Sequence, residues 1–401
     1  MAGACDNAAA TAFRGESPRK VRDVWKAGRF PLLGCQLARA MGTDPFRVAI
    51  SGDFLNEQGE DAYGELPVDR LDAASHLVWH YLREQGPRPG DTDYWNQFYR
   101  LKMTAEQLAG VDGLILLRPW LTREVIEQVR DRLVVVARSG AGYDKVDVAA
   151  CTDHDVVLTN APLALNHATA STALLFMLAL AKRLKAQERI TRAGRWDLQP
   201  AEMGDEIQGR VLGVVGLGHS GRELVRLAAP FEMQVLAYSP HADPVEARRL
   251  GVELVSLERL LNESDFVSVH ARPRPENRHL MGAAQFARMK PTAMFINIAR
   301  GDLVDQPALV HALRTGQIAG AGLDVFAVEP LPVNDPLIEL DNVILTPHWN
   351  ASTRDVWRAT GDNVTRSVLA VSRGELPAHI VNPEVLDRPG FQRKLARWKP
   401  A

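Results

Sequence analysis

The chain has 401 residues, 46% hydrophobic and 24% charged, an ordinary balance for a globular protein of two or three domains. Its net charge of −2 gives no electrostatic case for nucleic acid or an anionic membrane as partner. Cys5, Cys35 and Cys151 are odd in number and lack C-x-x-C spacing, which argues against a disulfide framework or a metal site and for a reducing, cytoplasmic setting.

Residues 1–45 read as an N-terminal extension, alanine-rich and then basic, with Ser17-Pro18 suited to open a short helix over 17–26. The first strand is expected at 46–51, followed by helical spacing over 71–83. The insert 86–98, rich in Pro, Gly and Asp, reads as a long loop carrying Tyr94, Trp95 and Phe98. Further strands are expected at 111–117, 133–137 and 156–159, with Thr122 capping a helix through Val129. Asn166 opens a long, mostly buried helix over 167–192, too short in its apolar run (173–181) to span a bilayer.

A second α/β series begins at Val211-Leu-Gly-Val-Val-Gly-Leu-Gly-His-Ser-Gly221. An apolar strand runs into Gly216-x-Gly218-x-x-Gly221 and then into a helix, the setting in which this fingerprint means dinucleotide binding. Gly216 permits the tight turn, Gly218 the approach of a pyrophosphate, and Gly221 close helix packing. Strands follow at 234–238, 253–255, 266–269, 293–297, 322–326 and 343–345, with helices at 244–250, 257–261, 282–289, 306–314 and 352–372. The expected fold is α/β, with two doubly wound parallel sheets. The first domain is discontinuous, 46–165 and 350–401, and the second spans 166–349 with the connecting helix.

Three late strands end in chemically capable residues. Arg300 suits a substrate carboxylate and its neighbouring carbonyl oxygen. His348 suits proton transfer to or from an alcohol oxygen, and Glu329 suits the far nitrogen of that imidazole.

The set Gly-Leu-Gly-His-Ser-Gly221, Asn297-Ile-Ala-Arg-Gly301, Gly322-Leu-Asp-Val-Phe326 with Glu329-Pro330, and Thr346-Pro-His348 resembles the D-isomer-specific 2-hydroxyacid dehydrogenases. The resemblance implies two similar domains with a cleft site, a homodimer, a small 2-oxo or 2-hydroxy acid substrate, and NAD or NADP as cofactor. It makes Arg300, Glu329 and His348 catalytic. It assigns Gly216, Gly218, His219, Ser220, Gly221, Ser239, His241, Ala299 and Asp324 to the cofactor, Asp324 near the nicotinamide carboxamide. It assigns Ser139, Gly140, Ala141 and Gly142, together with Arg118 and Arg300, to the substrate.

Ser239 stands where NAD-preferring members usually carry Asp, which leaves room for a 2′-phosphate held by His241 or Arg248; Asp243 is the alternative ribose partner. Trp349 after the histidine is expected either to narrow the pocket or to pack, and Ser171 replaces a Glu common in the family. The rival readings are a dehydrogenase of another oxyanion such as phosphite, and a nucleotide-sensing corepressor relative.

Overall fold

The computed structural model describes residues 44–56, 59–63, 66–82 and 93–399, so the expected helix at 17–26 and most of the insert lie outside it. The chain divides into two α/β units.

The first unit contains residues 44–82, 100–160 and 361–399. Its sheet is β1 (Phe46–Ile50), β2 (Leu77–Tyr81), β3 (Gly113–Leu116), β4 (Val135–Arg138) and β5 (Val157–Thr159). All pairs are parallel, in the order β2-β1-β3-β4-β5. Val48, Leu114, Ile115, Val136 and Leu158 are completely buried, as expected of strands covered on both faces. The helix expected over 71–83 is a correction. Only Asp69–Asp72 is helical, and Leu77-Val-Trp-His-Tyr81 instead pairs along β1. Its β-branched and aromatic side chains fit a half-buried edge, and tertiary pairing outweighs the helical spacing. Thr122 holds the N-cap position of Arg123–Val129 without a capping hydrogen bond; its hydroxyl serves Glu124.

The second unit contains residues 93–99 and 161–360. The chain returns to the first unit inside the helix Arg354–Val371, later than the boundary expected at 350. A continuous helix leaves no turn signal to mark the change. The sheet comprises β6 (Val211–Val215), β7 (Gln234–Tyr238), β8 (Val252–Leu254), β9 (Phe266–Val269), β10 (Met294–Asn297), β11 (Gly320–Leu323) and β12 (Val343–Leu345). It is parallel throughout, in the order β12-β11-β10-β9-β6-β7-β8. The chain winds outward from β6 to β8 and then restarts at β9 on the other side of β6. The switch point, where ligands of such sheets bind, is therefore the β6–β9 boundary.

Three expectations in this unit need correction; the strand expected over 322–326 is Gly320–Leu323, so Asp324 lies just past its end. The helix over 167–192 is two helices, Asn166–Ala181 and Leu184–Arg192, separated by Arg183 in the left-handed conformation. The Ala181 carbonyl accepts from Asp205 N at 2.8 Å, so the helical ladder ends there. Within the insert, Tyr94–Tyr99 is a short helix rather than loop, with the Tyr94 and Phe98 rings stacked at 5.7 Å. Among the described residues no helix is long and apolar enough to cross a membrane.

The C-terminal segment closes the first sheet by a backbone bridge, Thr159 to Ile380, with Val381 N donating to the Leu158 carbonyl at 2.8 Å, and by the side chain of Asn382. Asn382 is buried; its Oδ1 accepts from Leu158 N at 2.8 Å, and its Nδ2 donates to Thr152 Oγ1 and to the Val156 carbonyl, both at 3.0 Å. Asn382→Ala strands Leu158 N and the Val156 carbonyl, while the Thr152 hydroxyl still donates to the Val148 carbonyl. The expected loss is about 2 kcal/mol of unfolding free energy, read from denaturant titration with an unchanged slope. Wild-type stability in that variant would contradict the clamp.

Candidate active site

Parallel registration builds the candidate site of the second unit. Val215, Val269, Asn297, Leu323 and Leu345 are successive cross-strand partners, and Tyr238 joins them beside β6. His241, Gly218, Arg272, Arg300, Phe326 and His348 each stand three residues beyond that row. The sheet thus delivers residues far apart in sequence to one C-terminal edge.

The glycine turn fits a dinucleotide. Gly216 has φ 100°, and a Cβ there would lie 2.6 Å from Ala271 N. A Cβ on Gly221 would overlap the Gly216 carbonyl. These two glycines are required by the protein's own backbone. Gly218 is not, since a Cβ there would meet no atom within 4 Å. The open side of Gly218 lies at the start of the helix His219–Ala228, where backbone N–H groups and the helix dipole favour a pyrophosphate. His219 and Ser220 are the first two residues of that helix.

Arg300 is set by the turn that follows β10. Buried Asn297 donates from Nδ2 to the Arg300 carbonyl at 2.9 Å and accepts from Ala299 N at 3.1 Å. Half-buried Arg300 donates from Nη1 to the Ala299 carbonyl at 2.7 Å. A Cβ on Gly301 would overlap the Phe326 carbonyl. Only glycine therefore lets this turn lie against the loop that carries Glu329.

Asp324 and Glu329 fix the histidine. Buried Asp324 Oδ1 accepts from Thr346 Oγ1 at 2.5 Å, Trp349 N at 3.1 Å and Asn350 N at 3.2 Å. Asp324 thus braces the turn on both sides of His348, whose φ of 53° is a conformation that its surroundings must hold. Glu329 Oε2 lies 2.8 Å from His348 Nδ1, and Oε1 accepts from Phe326 N at 3.1 Å. Burial acts to raise the Glu329 carboxyl. The His348 hydrogen bond and charge, the Phe326 N–H and Arg300 outweigh burial and hold it below the usual Glu range.

At the other end of the row, Ser239 follows β7 half-buried, and His241 is exposed. Asp243 Oδ1 accepts from Val245 N at 2.9 Å and caps the helix Pro244–Arg249, which carries Arg248. Trp349 packs on Trp357, with ring centroids 5.5 Å apart, and the Ser171 hydroxyl donates to the Ala168 carbonyl at 3.0 Å.

The first unit repeats the same geometry. Ile50, Ile115 and Ala137 are one row of cross-strand partners, and Asp53, Arg118 and Gly140 stand three residues past it. Arg118 donates to the Tyr63 hydroxyl at 2.9 Å, and its guanidinium lies 4.9 Å from that ring's centre. Asp53, absent from the sequence reading, holds Arg118 from behind. Its Oδ2 accepts from Arg118 N at 3.0 Å, and its Oδ1 accepts from Ser51 Oγ at 2.7 Å. Complete burial pushes its carboxyl upward against those contacts. The only sequence signal was Ser51-x-Asp53 directly after a buried strand. Ser139 Oγ is buried without a hydrogen-bond partner among the described residues, and Asn160 Nδ2 pins the same loop by donating to the Ala141 carbonyl at 2.7 Å. Gly142 completes the loop.

A glycine turn at the switch point of a parallel sheet, with Arg, Glu and His along the same edge, defines a dinucleotide-binding α/β protein. The family model described as "D-isomer specific 2-hydroxyacid dehydrogenase, NAD binding domain" matches residues 174–350. A glyoxylate reductase of Korarchaeum cryptofilum is 40% identical over 297 residues, 73% of this chain and 89% of that protein. A D-3-phosphoglycerate dehydrogenase of Methanocaldococcus jannaschii is 39% identical over 281 residues, 70% of this chain and 52% of that one. A solved glyoxylate reductase from Paecilomyes thermophila matches with a TM-score of 0.70 at 26% identity, covering 84% of this chain and 99% of its own. The chain belongs to the D-isomer specific 2-hydroxyacid dehydrogenase family. It is an oxidoreductase that binds NAD(P).

The depressed Glu329 carboxyl has a measurable consequence. Its stabilising effect is fully present above the ordinary Glu value of 4.5 and is lost as pH falls through its lower folded value. Glu329→Gln is expected to lose stability less steeply than wild type below that pH, as read from thermal melts across the acid range. An unchanged slope would contradict the pairing.

Proposed function

We propose that this protein reduces a short 2-oxo acid to its (2R)-hydroxy acid, and runs the reverse oxidation, with NAD(P) as cofactor. The observation that carries this reading is the 2.8 Å Glu329–His348 contact on the same strand-end row as Arg300 and the glycine turn. Glyoxylate is the first substrate to try, because two of the relatives above are named glyoxylate reductases.

The nicotinamide ring, when bound, supplies or accepts the hydride. Arg300 binds the acid, its planar fork reaching the carboxylate and the carbonyl oxygen, whose developing negative charge it stabilises. His348 donates the proton to that oxygen from Nε2 and recovers it in the reverse direction. Glu329, kept ionised, holds Nδ1 and so presents Nε2 to the substrate. Asp324 acts through His348 by bracing its turn. In the first unit, Arg118 and the loop Ser139, Gly140, Ala141 and Gly142 form an anion-binding edge of their own, suited to a carboxylate. The Ser139 hydroxyl, unpartnered among the described residues, and the backbone N–H groups of a turn suit an anion.

Ser239 places no carboxylate at the end of β7, and Asp243 is committed to its cap, so both NAD and NADP are accepted. Leu175, Leu184, Trp196 and Met203 are exposed on consecutive segments of the second unit and suit pairing with a second copy of the chain.

His348→Ala is expected to bind NADH with an affinity near wild type while kcat for glyoxylate reduction falls by about 10²–10⁴. Fluorescence titration and steady-state rates measure the two effects. Turnover near the wild-type rate would remove His348 from the proton-transfer role.

A further inference from the structure

The second unit contains a polar chain, buried at its Ser268 end and half-buried at His270 and Ser220, that the reaction does not use. Ser268 lies in β9 and is completely buried. His270 follows that strand, with Nε2 3.0 Å from Ser268 Oγ and Nδ1 3.1 Å from Ser220 Oγ. Ser220 is the second residue of the helix His219–Ala228, inside the glycine fingerprint. The chain spans the switch point between β9 and β6, directly behind the expected pyrophosphate position.

Counting protons gives this chain a direction. Burial pushes the His270 imidazole down to about 3, so the ring is neutral and carries one N–H. If that proton sat on Nε2, it would donate to Ser268 Oγ, and the Ser220 hydroxyl would donate to Nδ1. The Ser268 proton would then be stranded, because His270 is the only hydrogen-bond partner of that hydroxyl among the described residues. An unspent buried donor is costly. With the proton on Nδ1, Ser268 donates to Nε2 and Nδ1–H donates to Ser220 Oγ, so every buried donor is used. The Ser220 proton remains, on a half-buried residue in the first turn of a helix where anions are favoured.

We propose that Ser268 and His270 are positioning residues that turn the Ser220 hydroxyl into a dedicated donor to the pyrophosphate of the nicotinamide cofactor. The idea rests on the NAD(P)-binding reading and adds a side-chain contact to the backbone cradle. The arrangement is polarised at no cost in charge, since a neutral imidazole and two hydroxyls fix one proton's direction. A Ser220 hydroxyl that donated inward would instead turn its lone pairs toward the phosphate.

The test is a double-mutant cycle on cofactor binding, read by NADH and NADPH fluorescence titration of the full chain. Thermal melts accompany it to show that each variant is folded. Ser220→Ala is expected to weaken both cofactors about tenfold, the size of one hydrogen bond to a charged group. Ser268→Ala, which frees the tautomer, is expected to weaken them several-fold alone and to have no further effect in the Ser220→Ala background. At saturating cofactor, kcat stays within about twofold of wild type while the cofactor KM rises. The inference is overturned if Ser220→Ala binds within twofold of wild type, or if Ser268→Ala has the same effect in both backgrounds. Failure of the wild-type chain to bind either cofactor would instead sink the NAD(P) reading, and this inference with it.

Discussion

The parallel register of the second sheet is the constraint on which the site depends. Hydrogen bonding locks Val215, Val269, Asn297, Leu323 and Leu345 into one row, so the residues three positions later must emerge along a single edge. Parallel strands all end on the same side, and a slip of one residue in any pairing would turn a functional side chain into the core. The row puts Arg300 and His348 on one edge with Gly218, and the first unit repeats the offset with Asp53, Arg118 and Gly140. The buried apolar strands therefore determine where the polar chemistry stands.

Beyond the row, short polar contacts and two close backbone approaches finish the geometry. Asp324 ties three donors on the His348 turn to the end of β11. Gly301 lets the Arg300 turn meet the loop that leads to Glu329, where any side chain would collide with Phe326. Asn297 closes the Arg300 turn from beneath. These groups are buried and fully engaged, which is how a strained histidine backbone and an ionised carboxylate persist together.

Much of this was legible in the sequence, and the exceptions share a cause. Strands such as Val211–Val215 and residues 135–137 of β4 are buried apolar runs, and the glycine fingerprint sits where strand and helix signals meet. Leu77–Tyr81 was misread because its neighbours give helical spacing, and only pairing with β1 reveals an edge strand. The break at Arg183 is set by a backbone donor from Asp205, invisible in local composition. Asp53 and His270 were missed for the same reason. Each contacts a residue distant in sequence, Arg118 and Ser220, and no spacing rule links those pairs. The contacts of Asp324 Oδ1 with the turn around the histidine carry no sequence signal of their own.

One measurement tests the central claim most directly. Glyoxylate, pyruvate and larger 2-oxo acids are each incubated with NADH and with NADPH, consumption of the reduced cofactor is followed by absorbance, and the chiral products are resolved. The expected result is cofactor oxidation strictly dependent on a 2-oxo acid, with only the (2R)-hydroxy acid formed. Cofactor binding without turnover of any 2-oxo acid, or a (2S) product, would contradict a hydride-transfer site built from Arg300, Glu329 and His348.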